Sequence, residues 1–159
     1  MNEQDKGEQL LNTSFSLEGF EEAFRDELRL RSLPTFRGKK VRGKSPLVKL
    51  ELALDVGNRL LSATLVFPFF LKDAEANRSI TAQAVRFLEL CLPDRVMPED
   101  WMQEATQALK KGGQRLFEHE YDGIVISLFQ MESDLIFVLQ AERKEEALKR
   151  PRSRPATPS

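Results

Sequence analysis

The sequence predicts an α+β domain, a two-layer sandwich in which helices cover one face of an antiparallel sheet of about five strands. Strand and helix patterns come in separate blocks, and the strongest strand patterns are joined by hairpin turns. Hydrophobic residues make up 41% of the chain, enough for a folded core. The predicted order is α-β-β-α-α-β-β-β. The domain covers residues 14–143, between a polar tail at 1–13 and a charged, Pro-, Ser- and Arg-rich disordered tail at 144–159.

An amphipathic helix is predicted over residues 16–31. Ser14 and Ser16 are both suited to cap its N-terminus. Its apolar stripe has the i, i+4, i+8 spacing of one helix face and consists of Phe20, Phe24 and Leu28.

Residues 32–46 are expected to form a long basic loop, because Pro34 and Pro46 bound the segment and two glycines interrupt it. From Arg29 to Lys49 the chain holds eight Lys or Arg residues and no acid, and from Lys149 to Ser159 it holds four and no acid. The remainder carries 12 basic and 25 acidic residues. The net charge of −1 therefore combines an acidic body with two basic segments, an asymmetry that bears on association.

A β-hairpin is predicted over residues 48–67. Alternate positions of the first strand are apolar, and Gly57–Asn58 fits a two-residue turn. In this register each apolar residue faces another, in the pairs Leu54–Leu61, Leu52–Ala63, Leu50–Leu65 and Val48–Phe67. Pro68 ends the second strand, distorts it or places it at an edge.

Two helices and three strands complete the domain, over residues 74–92, 98–111, 115–121, 124–131 and 135–141. Pro98 suits the first position of its helix, and Gly112–Gly113 suits the helix end. Asp122–Gly123 favours a second hairpin turn. The last strand is apolar on both faces, so we expect it inside the sheet.

The cysteine count and the hydropathy of the sequence argue against a disulfide-bonded, secreted or membrane-spanning protein. Cys91 is the only cysteine, so no disulfide forms within the chain. The N-terminal residues have no basic-then-apolar signal pattern, and no apolar run reaches the length of a membrane span. We therefore expect a cytoplasmic protein.

Residues 38–45 match the letters of a phosphate-binding loop, G-x-x-x-x-G-K-S. That loop requires a buried strand before it and a helix after it, whereas here Pro34 precedes it and the best strand of the chain follows it. The match is interpreted as a false positive.

No catalytic, cofactor-binding or metal-binding residues are predicted. His119 is the only histidine, and its neighbours Glu118 and Glu120 point to the opposite face of the predicted strand. An edge histidine or one with its hydrogen bonds satisfied is the simpler interpretation. Cys91 lies on an apolar helix face and is expected to be a small buried hydrophobe.

Two interaction surfaces are predicted. A polyanion could be held by the basic side chains of the expected loop, Arg37, Lys39, Lys40, Arg42 and Lys44. A protein partner or a second copy of the chain could contact the phenylalanine cluster Phe67, Phe69 and Phe70.

The leading hypothesis is a small non-catalytic protein-interaction module, since interaction segments are present and no convergent catalytic set is found. Its element order resembles that of small intracellular α+β proteins that act as chaperones or adaptors. The alternatives are polyanion or nucleic-acid binding through residues 37–49, and an apolar ligand between sheet and helices, lined by Leu52, Leu65, Phe87 and Trp101.

Overall fold

The computed structural model describes residues 15–68, 71–111, 115–131 and 136–149. These residues form four helices and seven strands, and the strands make one antiparallel sheet in the order β1-β2-β3-β4-β7-β6-β5. The helices are α1 (Leu17–Phe24), α2 (Ala74–Glu89), α3 (Pro98–Lys111) and α4 (Lys144–Lys149). The strands are β1 (Arg31–Thr35), β2 (Gly38–Lys44), β3 (Lys49–Asp55), β4 (Leu60–Pro68), β5 (Leu116–Tyr121), β6 (Ile124–Gln130) and β7 (Ile136–Arg143).

The mixed helix-and-strand fold is confirmed, but the predicted number of strands is too low. The segment 32–46, expected to be a loop, contributes most of the hairpin β1–β2. In β2, Val41 is buried while Arg42 and Lys44 are exposed, which is the alternation of a half-buried strand. Val41 is the one large apolar residue of β2, so the alternation is not evident in a sequence that is otherwise mostly basic. Pro34 is tolerated because β1 is an edge strand.

The first helix is shorter than predicted. Ser16 caps it, since its Oγ accepts a hydrogen bond from the backbone N–H of Gly19 at 3.1 Å. The helix ends at Phe24, but the backbone N–H of Leu28 donates to the carbonyl of Phe24 at 2.9 Å. This additional turn buries Leu28 completely, so the predicted apolar stripe lies in the core.

The hairpin β3–β4 is confirmed in its centre and shifted at its turn. Leu52 pairs with Ala63 and Leu50 with Leu65, as predicted. A register shift after Ala53 then brings Leu54 opposite Leu60 instead of Leu61.

Three residues, 56–58, lie between Asp55 and Arg59, whose backbone N–H and carbonyl form a 3.1 Å hydrogen bond across the turn. Asn58 takes the positive φ of 65°, and the Asp55 carboxylate accepts hydrogen bonds from the backbone N–H groups of Gly57 and Arg59. The turn therefore needs one residue more than the predicted Gly57–Asn58 pair.

The later elements follow the prediction closely. Asp73 caps α2, and α3 begins at Pro98. Asp122 and Gly123 both have positive φ, as a type I′ hairpin turn requires. Strand β7 lies inside the sheet between β4 and β6. The predicted signals at 112–113 and 132–134 lie outside the described residues.

The apolar sides of α1, α2 and α3 form one hydrophobic core with one face of the sheet. Phe20 is completely buried, and its ring centroid lies 5.4 Å from that of Phe87 and 6.3 Å from that of Phe24. At the β5 side, the Trp101 ring makes an edge contact with Phe117 at 5.1 Å. The opposite face of the sheet is called the outer face below.

The C-terminal tail predicted over 144–159 begins with helix α4, so its first six residues are helical rather than disordered. The backbone N–H of Lys144 donates to the carbonyl of Gly123 at 2.8 Å, which joins α4 to the β5–β6 turn. The remaining residues of this tail, and the N-terminal tail at 1–13, lie outside the described residues.

Candidate anion-binding cleft

The outer face carries cross-strand rows set by the strand register. One row runs from β1 to β4 through Arg31, Arg42, Glu51 and Thr64. The next runs from β2 to β4 through Lys44, Lys49 and Val66. Towards the centre of the sheet Ser127 and Val138 are nearly buried, whereas every residue of β1 is exposed. The outer face is therefore accessible on its β1–β3 side, as it also is along the other edge strand, β5.

A cleft of about 860 Å³ lies on the β1–β3 side of the outer face. Five cationic side chains line it: Arg29, Arg31, Arg42, Lys44 and Lys49. Its other lining residues are Leu33, Gly43, Leu50, Glu51, Thr64 and Val66. Spanning β1 to β4 it crosses three interstrand spacings, about 14 Å, or about four residues of extended chain.

The charges of the cleft are poorly balanced. Glu51 is the one carboxylate among its lining residues, and its Oε2 lies 2.7 Å from Arg42 Nε and 3.8 Å from Lys40 Nζ. Within the described chain, Arg29, Arg31, Lys44 and Lys49 form no ion pair. Both members of the Arg42–Glu51 pair are partly exposed, so the pair contributes little to stability, and the cleft keeps an excess of positive charge.

Gly43 explains how Arg29 reaches the cleft. A Cβ at Gly43 would lie 2.6 Å from Leu30 Cδ2 and 3.0 Å from Leu28 Cβ, so the segment before β1 passes directly against β2. This close approach holds the chain that enters β1 beside β2. Arg29 and Arg31 consequently lie beside the cations of β2 and β3.

The five predicted polyanion contacts separate into different places. Arg42 and Lys44 line the cleft. Lys40 lies on the same face, one row away from Arg42. Lys39 pairs with the core residue Leu54 and so belongs to the opposite, helix-facing side, and Arg37 lies in the β1–β2 turn. The predicted set is therefore not one cluster.

Three cleft cations are absent from the predicted set: Arg29, Arg31 and Lys49. The acid-free stretch from Arg29 to Lys49 includes all three, so the composition of the sequence already indicates the segment that supplies the cleft cations. Choosing among its cations requires knowing that residues 31–44 form a hairpin, because the strand register decides which side chains share a face.

The residues that match a phosphate-binding loop by letters form strand β2 and the start of the next turn. Ser45 closes that turn, since its backbone N–H donates to the Val48 carbonyl at 2.8 Å and its Oγ accepts from the Val48 N–H at 3.2 Å. Strand β3 follows, rather than the helix that such a loop needs.

The predicted phenylalanine surface is not supported at Phe67. This side chain is 1% exposed and stacks on Phe137 at 6.3 Å in the core, because Phe67 belongs to the helix-facing side of β4. Phe69 and Phe70 lie outside the described residues. The four side chains suggested to line an apolar ligand site, Leu52, Leu65, Phe87 and Trp101, are all buried in the shared core.

His119 lies on edge strand β5 between two aromatic rings, 4.8 Å from the centroid of Phe117 and 6.0 Å from that of Tyr121. Among the residues that the structure describes, no group of three or more His, Cys, Asp or Glu side chains is arranged to hold a metal ion. Burial raises the pKa of the Cys91 thiol well above its ordinary value, which keeps it protonated at neutral pH.

Comparison with known proteins finds no family model, no curated protein and no solved structure that matches this chain. No helix in the described parts of the chain is both long and apolar enough to cross a membrane. The function must therefore be inferred from the geometry of the surface.

Proposed function

We propose that the protein is a non-catalytic binding module that holds an acidic, extended segment of a partner protein in the cationic cleft of its outer face. The observation that carries this proposal is the convergence of five cations from four successive stretches of chain around one carboxylate. Such a concentration of one charge sign in a concave surface attracts the opposite charge and accelerates association.

The cleft chemistry favours a peptide over a nucleic acid. Leu33 is 42% exposed, and with Val66 it offers apolar contacts beside the cations. No aromatic ring lines the cleft, whereas single-stranded nucleic acids are usually held by stacking of bases on aromatic side chains. A segment that alternates acidic and aliphatic residues would match both kinds of lining.

Edge addition of a strand is less favourable than binding across the face. Strand β1 is the edge beside the cleft, but Pro34 removes one backbone donor from a strand of five residues. The partner segment is therefore expected to bind mainly through side chains, with carboxylates against Arg31, Lys44 and Lys49.

Fluorescence anisotropy with a labelled peptide of alternating Glu and Leu tests the proposal. The double variant Lys44→Glu/Lys49→Glu should raise the Kd at least about ten-fold, since two attractive charges become repulsive. Lys44→Arg/Lys49→Arg should retain affinity. The matched control Lys72→Glu/Arg78→Glu changes the net charge equally on exposed residues outside the cleft lining and should bind as the wild type does.

Three results would contradict the proposal. The first is no binding of the peptide at low salt, and the second is an equal loss of affinity in the Lys72/Arg78 control. The third is tighter binding of single-stranded DNA than of the peptide through the same cations, which would identify a nucleic-acid partner instead.

A further inference from the structure

Two neighbouring β-turns at one end of the sheet present strongly exposed apolar side chains. Phe36 in the β1–β2 turn is 98% exposed, and Val56 in the β3–β4 turn is 87% exposed. Gly38 at the start of β2 pairs with Asp55 at the end of β3, so the two turns adjoin. Two interstrand spacings place the axes of these hairpins about 10 Å apart. Phe36 and Val56, called the tip pair below, thus protrude together.

The surroundings of the tip pair favour an anionic partner. Arg37 follows Phe36 in the same turn, Lys39 comes two residues later, and neither forms an ion pair within the described residues. Five carboxylates at this end of the sheet are already engaged by cations or by the β3–β4 turn: Asp55, Glu120, Asp122, Glu145 and Glu146.

The chain leaves the same end of the sheet through α4, which is joined to the β3–β4 turn by a 3.3 Å ion pair between Arg59 and Glu145. Leu148 of this helix is 68% exposed. The ten residues after Lys149 contain three arginines and no acidic residue. Additional positive charge thus follows α4 in the sequence.

We propose that this end of the sheet docks on the surface of an anionic lipid bilayer, with Phe36 and Val56 inserted among the headgroups and Arg37 and Lys39 against lipid phosphates. A bilayer accepts protruding apolar side chains without a shaped pocket, and its negative surface potential attracts nearby cations. The tip pair is convex and lies outside the cleft lining, so this docking is independent of the peptide site.

Sedimentation with lipid vesicles tests the docking. The protein should sediment with vesicles of phosphatidylcholine and phosphatidylserine in roughly a 2:1 ratio, and not with phosphatidylcholine alone. Phe36→Ser/Val56→Ser should weaken binding at least about ten-fold, as expected for two apolar side chains that no longer insert. Arg37→Glu/Lys39→Glu should also weaken it. The control Leu116→Ser alters a side chain that is 43% exposed at the opposite end of the sheet and should bind normally.

A fluorescence experiment distinguishes insertion from simple charge attraction. In Phe36→Trp the new indole should shift to shorter wavelength when phosphatidylserine vesicles are added, against a constant background from buried Trp101. An unshifted spectrum, unchanged binding of Phe36→Ser/Val56→Ser, or an equal loss in Leu116→Ser would overturn the proposal. Circular dichroism of each variant checks its folding, and folded spectra are expected because the tip pair makes little contact with its own chain.

Discussion

Gly38 is the position where one added methyl group should most damage the hairpin that carries the cleft. A Cβ at Gly38 would lie 2.1 Å from the carbonyl oxygen of Leu54 and 2.8 Å from the carbonyl carbon of Asp55. Both atoms belong to the backbone of the adjacent strand β3, so no side-chain rotation relieves the contact. In Gly38→Ala the strands β2 and β3 must separate by roughly 1 Å to restore ordinary contact distances.

The expected loss of stability in Gly38→Ala is about 1–3.5 kcal/mol. Overpacking of this kind costs about 1–3 kcal/mol. A ladder hydrogen bond weakened by the separation adds about 1 kcal/mol. Alanine recovers only about 0.5–1 kcal/mol of backbone entropy relative to glycine. For a chain of this size the same change lowers Tm by about 2–14 °C.

Urea unfolding followed by circular dichroism measures this loss, with Gly57→Ala as the matched control. A Cβ at Gly57 would meet only the Asp55 Oδ1 atom at 3.6 Å, an ordinary contact, so its stability should stay within about 0.5 kcal/mol of wild type. If Gly38→Ala unfolded at the wild-type midpoint, or no earlier than Gly57→Ala, the close approach of β2 to β3 would be refuted. Peptide affinity should fall with stability in Gly38→Ala, because β2 supplies Arg42 and Lys44.

Two further predictions concern the core. Leu65→Ala should lower the free energy of unfolding in urea by about 2–5 kcal/mol, because Leu65 is completely buried in a central strand. Leu61→Ala in the same strand should cost clearly less because Leu61 is only half-buried, and equal losses would contradict this difference in burial. Cys91 should not react with a thiol reagent at pH 8 until the protein unfolds, and rapid reaction of the native protein would refute its burial. The Cys91 thiol has a higher pKa in the folded protein than in the unfolded chain. Its contribution to the free energy of unfolding is therefore complete below the unfolded pKa of about 8.5, and it declines by about 1.4 kcal/mol per pH unit as the pH rises above that value. The difference in unfolding free energy between wild type and Cys91→Ala isolates that decline.

The sequence predicts the core better than the charged surface, for a physical reason. Leu50, Leu52 and Ala63 are positioned by burial, which leaves a clear period-two pattern in the sequence. Strand β2 is half-buried too, but its helix-facing side uses Val41 and Gly43, which carry little hydrophobic signal. The strand at 38–44 was therefore hidden among basic residues.

The β3–β4 turn differs from the prediction because a side chain within it determines its geometry. The Asp55 carboxylate organises the β3–β4 turn through two backbone N–H groups, which lengthens it by one residue and shifts the nearby register. Asp122–Gly123 has no such competitor in its hairpin and forms the predicted tight turn. The period-two alternation of apolar residues and the residue types of the turns thus identify the hairpins. Hydrogen bonds within each turn decide how many residues it contains.

The β1–β2 hairpin connects the two proposed surfaces and sets their relative direction. Its tip carries Phe36 at the end of the sheet, while the side chains of Arg31 and Arg42 lie along its outer face. A bilayer contacted by the tip would thus meet the sheet end-on and leave the outer face beside it exposed to solvent. Since the cleft opens on that face, membrane docking would not block a peptide there. Wild-type protein bound to phosphatidylserine vesicles should therefore still take up the acidic peptide, and mutual exclusion of peptide and vesicles would show that the cleft itself binds the lipid.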